Sequence, residues 1–500
     1  MEENTKIIFT KNLNKLNFNS IITIPIDSNV NIKNVLNVNA YIHDQKVECG
    51  NGKALITGKI SVKVLYIDTD NISNTVCDTQ NFSETYLDNS ITSDTYLNIY
   101  DSTITNSILS TDANLKLNCE INITPIAYLN LNLSNNFKHN ETLITKKNEI
   151  QTSCISNIVN TKFEYVSNIE TKYNISRILC INSCFVPEKI TAQDGYAVVE
   201  GRISNCILFE CLNNNDSQIK MINESSSLKC DIEISGLTKE NSLDLSFVLD
   251  KSFEDVKTEI EDDSQIVTIK HKICVSGVSL TPVKIEIVDD VFSVENSIET
   301  NLIKREFSKN SEKFSLSETI SNETTLENNE PAIDEVLANL NISPEITNTY
   351  IKNNTIHIEG IVCSNLTYID ENKEIKHKEL ESPFIVDTKI PAESLGSYHH
   401  SISVLDSKIK IKRGTIIESE YSLFINLILY EKESYDMVDG LTIGKPLDFS
   451  KYDFQIFIGK PNETLWDLCK RIKISPNNIH QYNKDLPLVL NGGEKIIIKR

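Results

Sequence analysis

The fold class follows from a stretch that reads Ala54-Leu-Ile-Thr-Gly58-Lys-Ile-Ser-Val-Lys-Val-Leu-Tyr66-Ile-Asp68. The pattern returns twice, as Ala197-Val-Val-Glu-Gly201-Arg-Ile-Ser-Asn-Cys-Ile-Leu-Phe209-Glu210 and as Ile356-His-Ile-Glu-Gly360-Ile-Val-Cys-Ser-Asn-Leu-Thr-Tyr368-Ile-Asp370. Each copy is apolar at alternate positions and has an aromatic residue eight positions after its glycine. A period of two predicts a half-buried β-strand, with the aromatic residue in the core. The glycine indicates a bulge or a close backbone approach.

Two further features accompany each copy. A second alternating strand lies downstream, as in Leu115-Lys-Leu-Asn-Cys-Glu-Ile-Asn-Ile123, and an apolar pair lies upstream, as in Val35-Leu36, Ile178-Leu179 and Val336-Leu337. One position breaks the apolar face, because Val62 corresponds to Asn205 and Ser364. Since the glycines lie about 150 residues apart, each copy is long enough for one domain, and we expect beads on a string.

These features predict a mainly β protein made of tandem β-rich repeat modules. We place the modules at residues 1–139, 140–292 and 331–450. Residues 293–330 are polar, with little apolar periodicity, and predict a flexible linker. Within each module, a β-sandwich and an open barrel are equally compatible with the strands.

The composition limits the possible partners. The net charge of −21 argues against nucleic acid or an anionic membrane as the main partner. The last fifty residues are an exception, because they carry 9 Lys/Arg against 5 Asp/Glu. The amino terminus has no apolar signal segment, and no later apolar run is long enough to cross a bilayer. We therefore expect a protein that stays in the cytosol that made it.

No pattern in the chain indicates catalysis, a cofactor or a metal. The 15 glycines never assemble into a phosphate-binding loop. The 12 cysteines include no C-x-x-C pair, and Cys180 and Cys184 have the only close spacing in a predicted strand. His399 and His400 are adjacent on a predicted strand, so they point to opposite faces. We expect a non-enzymatic protein.

The chain changes character at residue 451. Residues 453–458 predict a strand, a helix begins near Asn462, and Ser475-Pro476 predicts the start of a second helix with Ile479 and Tyr482 inward. Residues 494–499 predict a last strand. The first helix presents an apolar face made of Leu465, Leu468, Cys469 and Ile472.

This small βααβ domain, residues 451–500, resembles a LysM domain. The resemblance rests on Thr464-Leu-Trp466, on Asn483 after the second helix and on Gly493-Glu-Lys-Ile-Ile-Ile498. It implies a groove for N-acetylglucosamine polymers, but Asn462-Glu463 replaces the usual Gly-Asp, which weighs against glycan binding. The partner-binding residues that it implies are Lys460, Asn462, Glu463, Thr464, Leu465, Trp466 and Asn477.

The glycine-centred strands are similar to the SPOCS domain of bacterial spore-coat proteins. SPOCS repeats followed by a LysM domain resemble the clostridial spore-coat morphogenetic proteins. The resemblance implies a structural adaptor in the mother-cell cytoplasm, at the forespore surface. Its partners would be the morphogenetic ATPase of the coat, bound at least partly through the LysM domain, and other coat proteins.

Two alternatives belong to other classes of protein. A peptidoglycan- or N-acetylglucosamine-binding protein would act through the LysM groove. A wall hydrolase would need a catalytic domain, which the modules do not show.

Overall fold

The computed structural model describes residues 6–26, 31–70, 72–110, 114–132, 142–213, 216–251, 255–261, 264–327, 329–390, 397–448 and 454–499. Among these residues the only two helices lie in the last fifty positions, and the other regular elements are strands. The mainly β prediction is confirmed.

The first β unit consists of two antiparallel sheets that share one apolar core. One sheet has the order β3-β4-β5, with the strand of Gly58 at its centre, and the other is built around β7, which pairs with β1, β2 and β6. Alternate side chains of β4 and β7 point into the space between the sheets, as in a β-sandwich. The strands are β1 (Lys6–Asn12), β2 (Leu16–Pro25), β3 (Ile32–Gly50), β4 (Lys53–Asp68), β5 (Ser73–Leu87), β6 (Tyr96–Ser110) and β7 (Asn114–Asn132).

The second β unit is built in the same way. Its first sheet has the order β11-β10-β9, and its second sheet is built around β14, which pairs with β8, β12 and β13. The two sheets again share an apolar core. The strands are β8 (Leu143–Thr171), β9 (Ile175–Gln193), β10 (Tyr196–Asn213), β11 (Asp216–Glu233), β12 (Ser242–Leu249), β13 (Asp255–Glu261) and β14 (Ser264–Ser293).

The third β unit has the sheets β16-β17-β18 and β15-β20-β19 around one apolar core. Its strands are β15 (Asn296–Thr325), β16 (Ile333–Lys352), β17 (Thr355–Asp370), β18 (Ile375–Lys389), β19 (Ser397–Lys412) and β20 (Ile416–Pro446).

The three anchoring glycines allow a close approach, as their position in the strands predicts. In each unit a phenylalanine of a neighbouring strand lies over the glycine: Phe82 over Gly58, Phe185 over Gly201 and Phe384 over Gly360. A Cβ at Gly360 would lie 2.4 Å from the Phe384 ring. The glycine is therefore required for the packing of this aromatic ring against the central strand.

The polar residues in the apolar column are also explained. Asn205 and Ser364 are both buried. Asn205 accepts a hydrogen bond from Ser183 at 2.7 Å, and the Ser364 hydroxyl lies 2.7 Å from the Tyr421 hydroxyl. A buried polar side chain is tolerated at these positions because it has a partner.

The prediction of a flexible linker at residues 293–330 is wrong. Residues 296–325 form β15, which pairs antiparallel with β20 along its whole length, so the third unit begins well before residue 331. Most side chains of β15 are polar, because the backbone ladder needs no apolar residue and much of the strand faces solvent. Its apolar alternation is confined to Phe314, Leu316 and Ile320, which pack on the core of the third unit and stand among many polar residues.

The units are not beads on a string, because they pack against one another, and two apolar junctions each include residues of all three units. One junction joins Leu36 of the first unit, Leu179 of the second and Leu340 of the third. Two of the upstream apolar pairs noted in the sequence therefore serve contacts between units. Asn341 reinforces this junction by donating to Asn37 Oδ1 at 2.5 Å.

The second junction joins the central strands β7, β14 and β20. Its polar centre is Asp244, which is 2% exposed. The hydroxyls of Tyr128, from the first unit, and Tyr430, from the third, both donate to Asp244 Oδ2. One carboxylate oxygen thus holds all three units.

The C-terminal domain sits at the end of two paired ribbons. Beyond Leu280, β14 pairs only with β8, and beyond Tyr430, β20 pairs only with β15 among the described strands. The two ribbons pack on each other through an apolar cluster that includes Ile287 and Phe307. At their end Phe292 belongs to the core of the C-terminal domain. That domain contains β21 (Phe454–Ile458), α1 (Leu465–Ile472), α2 (Pro476–Tyr482) and β22 (Lys495–Lys499).

Candidate functional site

The turn before α1 carries most of the residues that the sequence singles out. Asn462 has a left-handed backbone (φ 60°), so the helix begins at Leu465 and not near Asn462. Thr464 is the N-cap and forms a capping box with Asp467. The expected apolar face, with Leu468 and Ile472, is buried.

Glu463 points into the domain. Its side chain accepts hydrogen bonds from Arg471 at 2.7 and 2.9 Å and from the Lys460 backbone at 3.0 Å. The hydrogen bond from Arg471 lowers the pKa of the carboxyl, an effect that outweighs its partial burial. Glu463 therefore holds the turn in place, and Leu465 is buried as well. Neither of these two predicted contact residues offers its side chain to a partner in this structure.

The other predicted residues divide into two sets. Lys460, Asn462 and Thr464 are exposed on the one turn. Asn477 is exposed on α2, and no hydrogen bond among the described residues connects it to that turn. The structure thus brings three exposed side chains together and leaves Asn477 apart.

Trp466 contacts the end of the ribbons. Its Nε1 donates to Asp290 Oδ2 at 2.8 Å, and its ring lies edge-on to Phe292 at 5.1 Å. Lys470, one turn along α1, donates to both oxygens of Asp290 at 2.7 Å. Burial alone would raise the pKa of Asp290, but the hydrogen bonds from Lys470 and Trp466 outweigh it and lower the pKa. The side of α1 that carries Trp466 is therefore occupied by the chain's own second unit.

An exposed apolar face lies elsewhere on the domain and was not predicted. The outer side of the β21–β22 sheet exposes Phe454, Ile456, Ile458 and Ile497, with Lys495 and Lys499 among them. Ile456 is 65% exposed and lies opposite Ile497. A sequence signal existed, because Phe454-Gln-Ile-Phe-Ile458 is apolar on both faces, and only one face can be covered by the small core.

The second helix is tied to the last strand through Asn483. Its side chain donates to the carbonyls of Ile479 and Ile497 and accepts from the Ile497 backbone at 2.8 Å. Ser475 is the N-cap of α2 and Pro476 its first residue, as expected. Tyr482, expected to point inward, is 41% exposed, because α2 ends there and Ile479 alone fills its part of the core.

The described residues show no group of three or more His, Cys, Asp or Glu side chains placed to hold a metal ion. In the same part of the chain, neither helix has the length and apolar character needed to cross a membrane.

Residues 31–133 match the family model described as "SipL, SPOCS domain". The match begins one residue before β3 and ends one residue after β7, so it covers most of the first β unit. No curated protein and no solved structure was found to match the chain. The match to a SPOCS domain indicates a spore-coat-related role.

Proposed function

We propose that this protein is a non-catalytic structural adaptor of spore-coat assembly. It binds the morphogenetic ATPase of the coat through its C-terminal domain and helps to attach the coat layer around the forespore, from the mother-cell cytoplasm. The family match in the first β unit supports the coat context. We also propose that all three β units are SPOCS-like repeats and that residues 451–500 form a LysM domain.

The observation that carries the adaptor role is the exposed apolar face of β21–β22. An apolar sheet face is costly in water and is a common feature of protein interfaces. The two lysines that flank it favour an acidic or uncharged partner surface. The three β units, held together at buried junctions, provide a large rigid body that can carry further contacts.

The test is capture of the ATPase by the full-length protein, with and without Ile456→Asp. We expect the substitution to reduce capture at least tenfold, because a carboxylate would be desolvated at the centre of the interface. Ile385→Asp is the matched control, since Ile385 is 69% exposed on β18, far along the chain from this face.

A second ligand can be tested with the same protein. The turn that holds Lys460 and Asn462 lies beside exposed Leu488, because the Leu465 backbone donates to the Leu488 carbonyl at 2.8 Å. If the full-length protein binds N-acetylglucosamine oligomers and does not bind the ATPase, it is a glycan-binding protein and the adaptor proposal is wrong. Equal capture by wild type and Ile456→Asp would contradict the β21–β22 face.

A further inference from the structure

A cavity of about 800 Å³ lies between the three β units and is partly open to the surface. Strands of all three units line it, with Ile99 from the first, Phe185 and Phe247 from the second, and Val404 from the third. Its volume lies in the range of ligand-binding sites, ~300–1,000 Å³. We call it the central chamber.

Three strands meet the chamber edge-on. Residues 182–185 and 187–190 of β9, 245–249 of β12 and 401–407 of β19 all line it. Successive side chains of a strand point to opposite faces, so a run of consecutive lining residues means that the backbone edge itself borders the chamber. Each of these strands is at the edge of its sheet among the described residues.

The outer edge of β12 presents backbone groups that do not pair with β14. The Leu243 carbonyl points away from β14 and accepts a hydrogen bond from Lys313 Nζ. Antiparallel pairing turns alternate residues toward the partner strand, so the backbone groups of Leu245, Phe247 and Leu249 also point away from β14. A row of unpaired N–H and C=O groups of this kind is a template for one more strand.

The two ends of this edge are marked by lysines. Lys313 lies at the Leu243 end, and Lys251 follows β12 at the other end. Lys313 keeps accessible surface inside the chamber although protein surrounds it, and burial lowers its pKa. Asp244 acts on Lys313 electrostatically but lies beyond ion-pair distance; its Oδ2 is bound by two tyrosines, and its buried Oδ1 has no hydrogen-bond partner among the described residues.

Three acidic residues among those described line the chamber: Glu188 and Asp406 have cationic partners, and Glu224 accepts a 3.5 Å hydrogen bond from Asn205. Glu188 lies 3.2 Å from Arg202, and Asp406 lies 3.8 Å from Lys408. Lys251 has no carboxylate among the described residues within ion-pair distance. The chamber therefore combines an open strand edge with positive charge at its ends.

We propose that the central chamber binds an extended acidic segment of a partner protein, which adds as a strand to the edge of β12 with a carboxylate near Lys313 and another near Lys251. The main-chain hydrogen bonds would supply affinity, and the two lysines would favour a segment with negative charge at both of its ends. This site is separate from the C-terminal domain and does not depend on the ATPase contact.

Native cysteines provide the measurement. Of the 12 cysteines only Cys184 and Cys77 are exposed, and Cys184 lines the chamber whereas Cys77 does not. The rate of alkylation of each by iodoacetamide, read by mass spectrometry of tryptic peptides, reports access to the chamber with Cys77 as the internal reference. Cys184 is open to the chamber but surrounded by protein, and this desolvation raises the pKa of its thiol, so all samples are compared at one alkaline pH.

Three peptides test the chemistry. The first has a core of alternating threonine and valine with glutamates at both ends, the second has lysines at the ends, and the third is the acidic peptide with N-methyl groups on alternate backbone nitrogens. We expect the acidic peptide to slow Cys184 alkylation at least tenfold, with Cys77 unchanged, and the other two to have no effect. Protection by the N-methylated peptide, by phosphate or by N-acetylglucosamine oligomers to the same degree would overturn the proposal.

The lysines are tested by substitution. Lys251→Met should weaken the acidic peptide at least tenfold, whereas Lys304→Met, an exposed lysine of β15 outside the chamber, should leave it unchanged. Equal affinities of the two variants would overturn the charge argument. A Cys184 that is unreactive in the free protein would show that small molecules do not enter the chamber and would overturn the site.

Discussion

Asp244 and Asp290 both belong to the second β unit, and each accepts hydrogen bonds from two side chains of other parts of the chain. Asp244 is buried and binds two tyrosine hydroxyls at the junction of the three units. Asp290 has a side chain that is 24% exposed and binds an indole and an ammonium group of the C-terminal domain. Both sites use an aspartate carboxylate as the acceptor, but one carboxylate is buried and the other is partly exposed.

The difference indicates which contact is permanent. Asp244 and its two tyrosines lie inside an apolar junction, so separating the three units would expose that apolar surface to water as well as break both hydrogen bonds. Lys470 and Trp466 at Asp290 can be solvated again when the contact opens. We therefore expect the β units to act as one body and the C-terminal domain, which is held by Asp290 and by Phe292 in its core, to be the part that separates at lower cost.

The largest effect is expected for Asp244→Ala. It leaves the Tyr128 and Tyr430 hydroxyls without their acceptor in a buried site, which costs about 3 kcal/mol or more. Thermal unfolding followed by circular dichroism should show a clearly lower midpoint. Asp231→Ala, on the exposed face of β11, is the control and should unfold as wild type does. An unchanged midpoint for Asp244→Ala would mean that the apolar junction alone holds the units.

A smaller effect is expected for Asp290→Ala. Hydrogen bonds to a charged group contribute ~1.5–3 kcal/mol when buried, and partial exposure reduces this to about 1 kcal/mol. Trp466 is the only tryptophan of the chain, so its fluorescence reports the contact directly. We expect a red-shifted emission in Asp290→Ala and wild-type emission in Asp289→Ala. Identical spectra for both variants would contradict docking at Asp290.

The smallest effect on the docking of the C-terminal domain is expected when the pH is lowered. The pKa of Asp290 is lowered by its contact with the C-terminal domain, so the contact stabilises docking above the ordinary pKa of 3.8. That contribution is lost as the pH falls below 3.8 and through the lowered pKa. Trp466 emission should therefore shift to the red below about pH 4, and the shift should be absent in Asp290→Asn. An equal acid-induced shift in wild type and in Asp290→Asn would show that another group causes the effect.

The strands with strict alternation were predictable because one covered face imposes a period of two. The glycine-centred strands, the second alternating strands and the apolar face of α1 all followed from local sequence. β15 was not predicted because most of its residues are polar, and the start of α1 was predicted too early, near Asn462, because the left-handed Asn462 precedes the N-cap Thr464.

The candidate site was predicted only in part. Local sequence identified the turn with Lys460 and Asn462, but the inward orientation of Glu463 depends on Arg471, eight residues away. The role of Trp466 depends on Asp290, which lies far back in the chain. No spacing rule connects such residues.

The sequence by itself determined that this chain is mainly β, with glycine-centred strands and a small C-terminal βααβ arrangement, since periodicity and close approach are local properties. Only the tertiary structure decided that the three β units share buried junctions, that the expected linker is a strand, and that a chamber lies between the units. These depend on pairings across more than a hundred residues, as between Tyr128, Asp244 and Tyr430. Hydrophobic period specifies which face of a strand is buried but not which partner covers it.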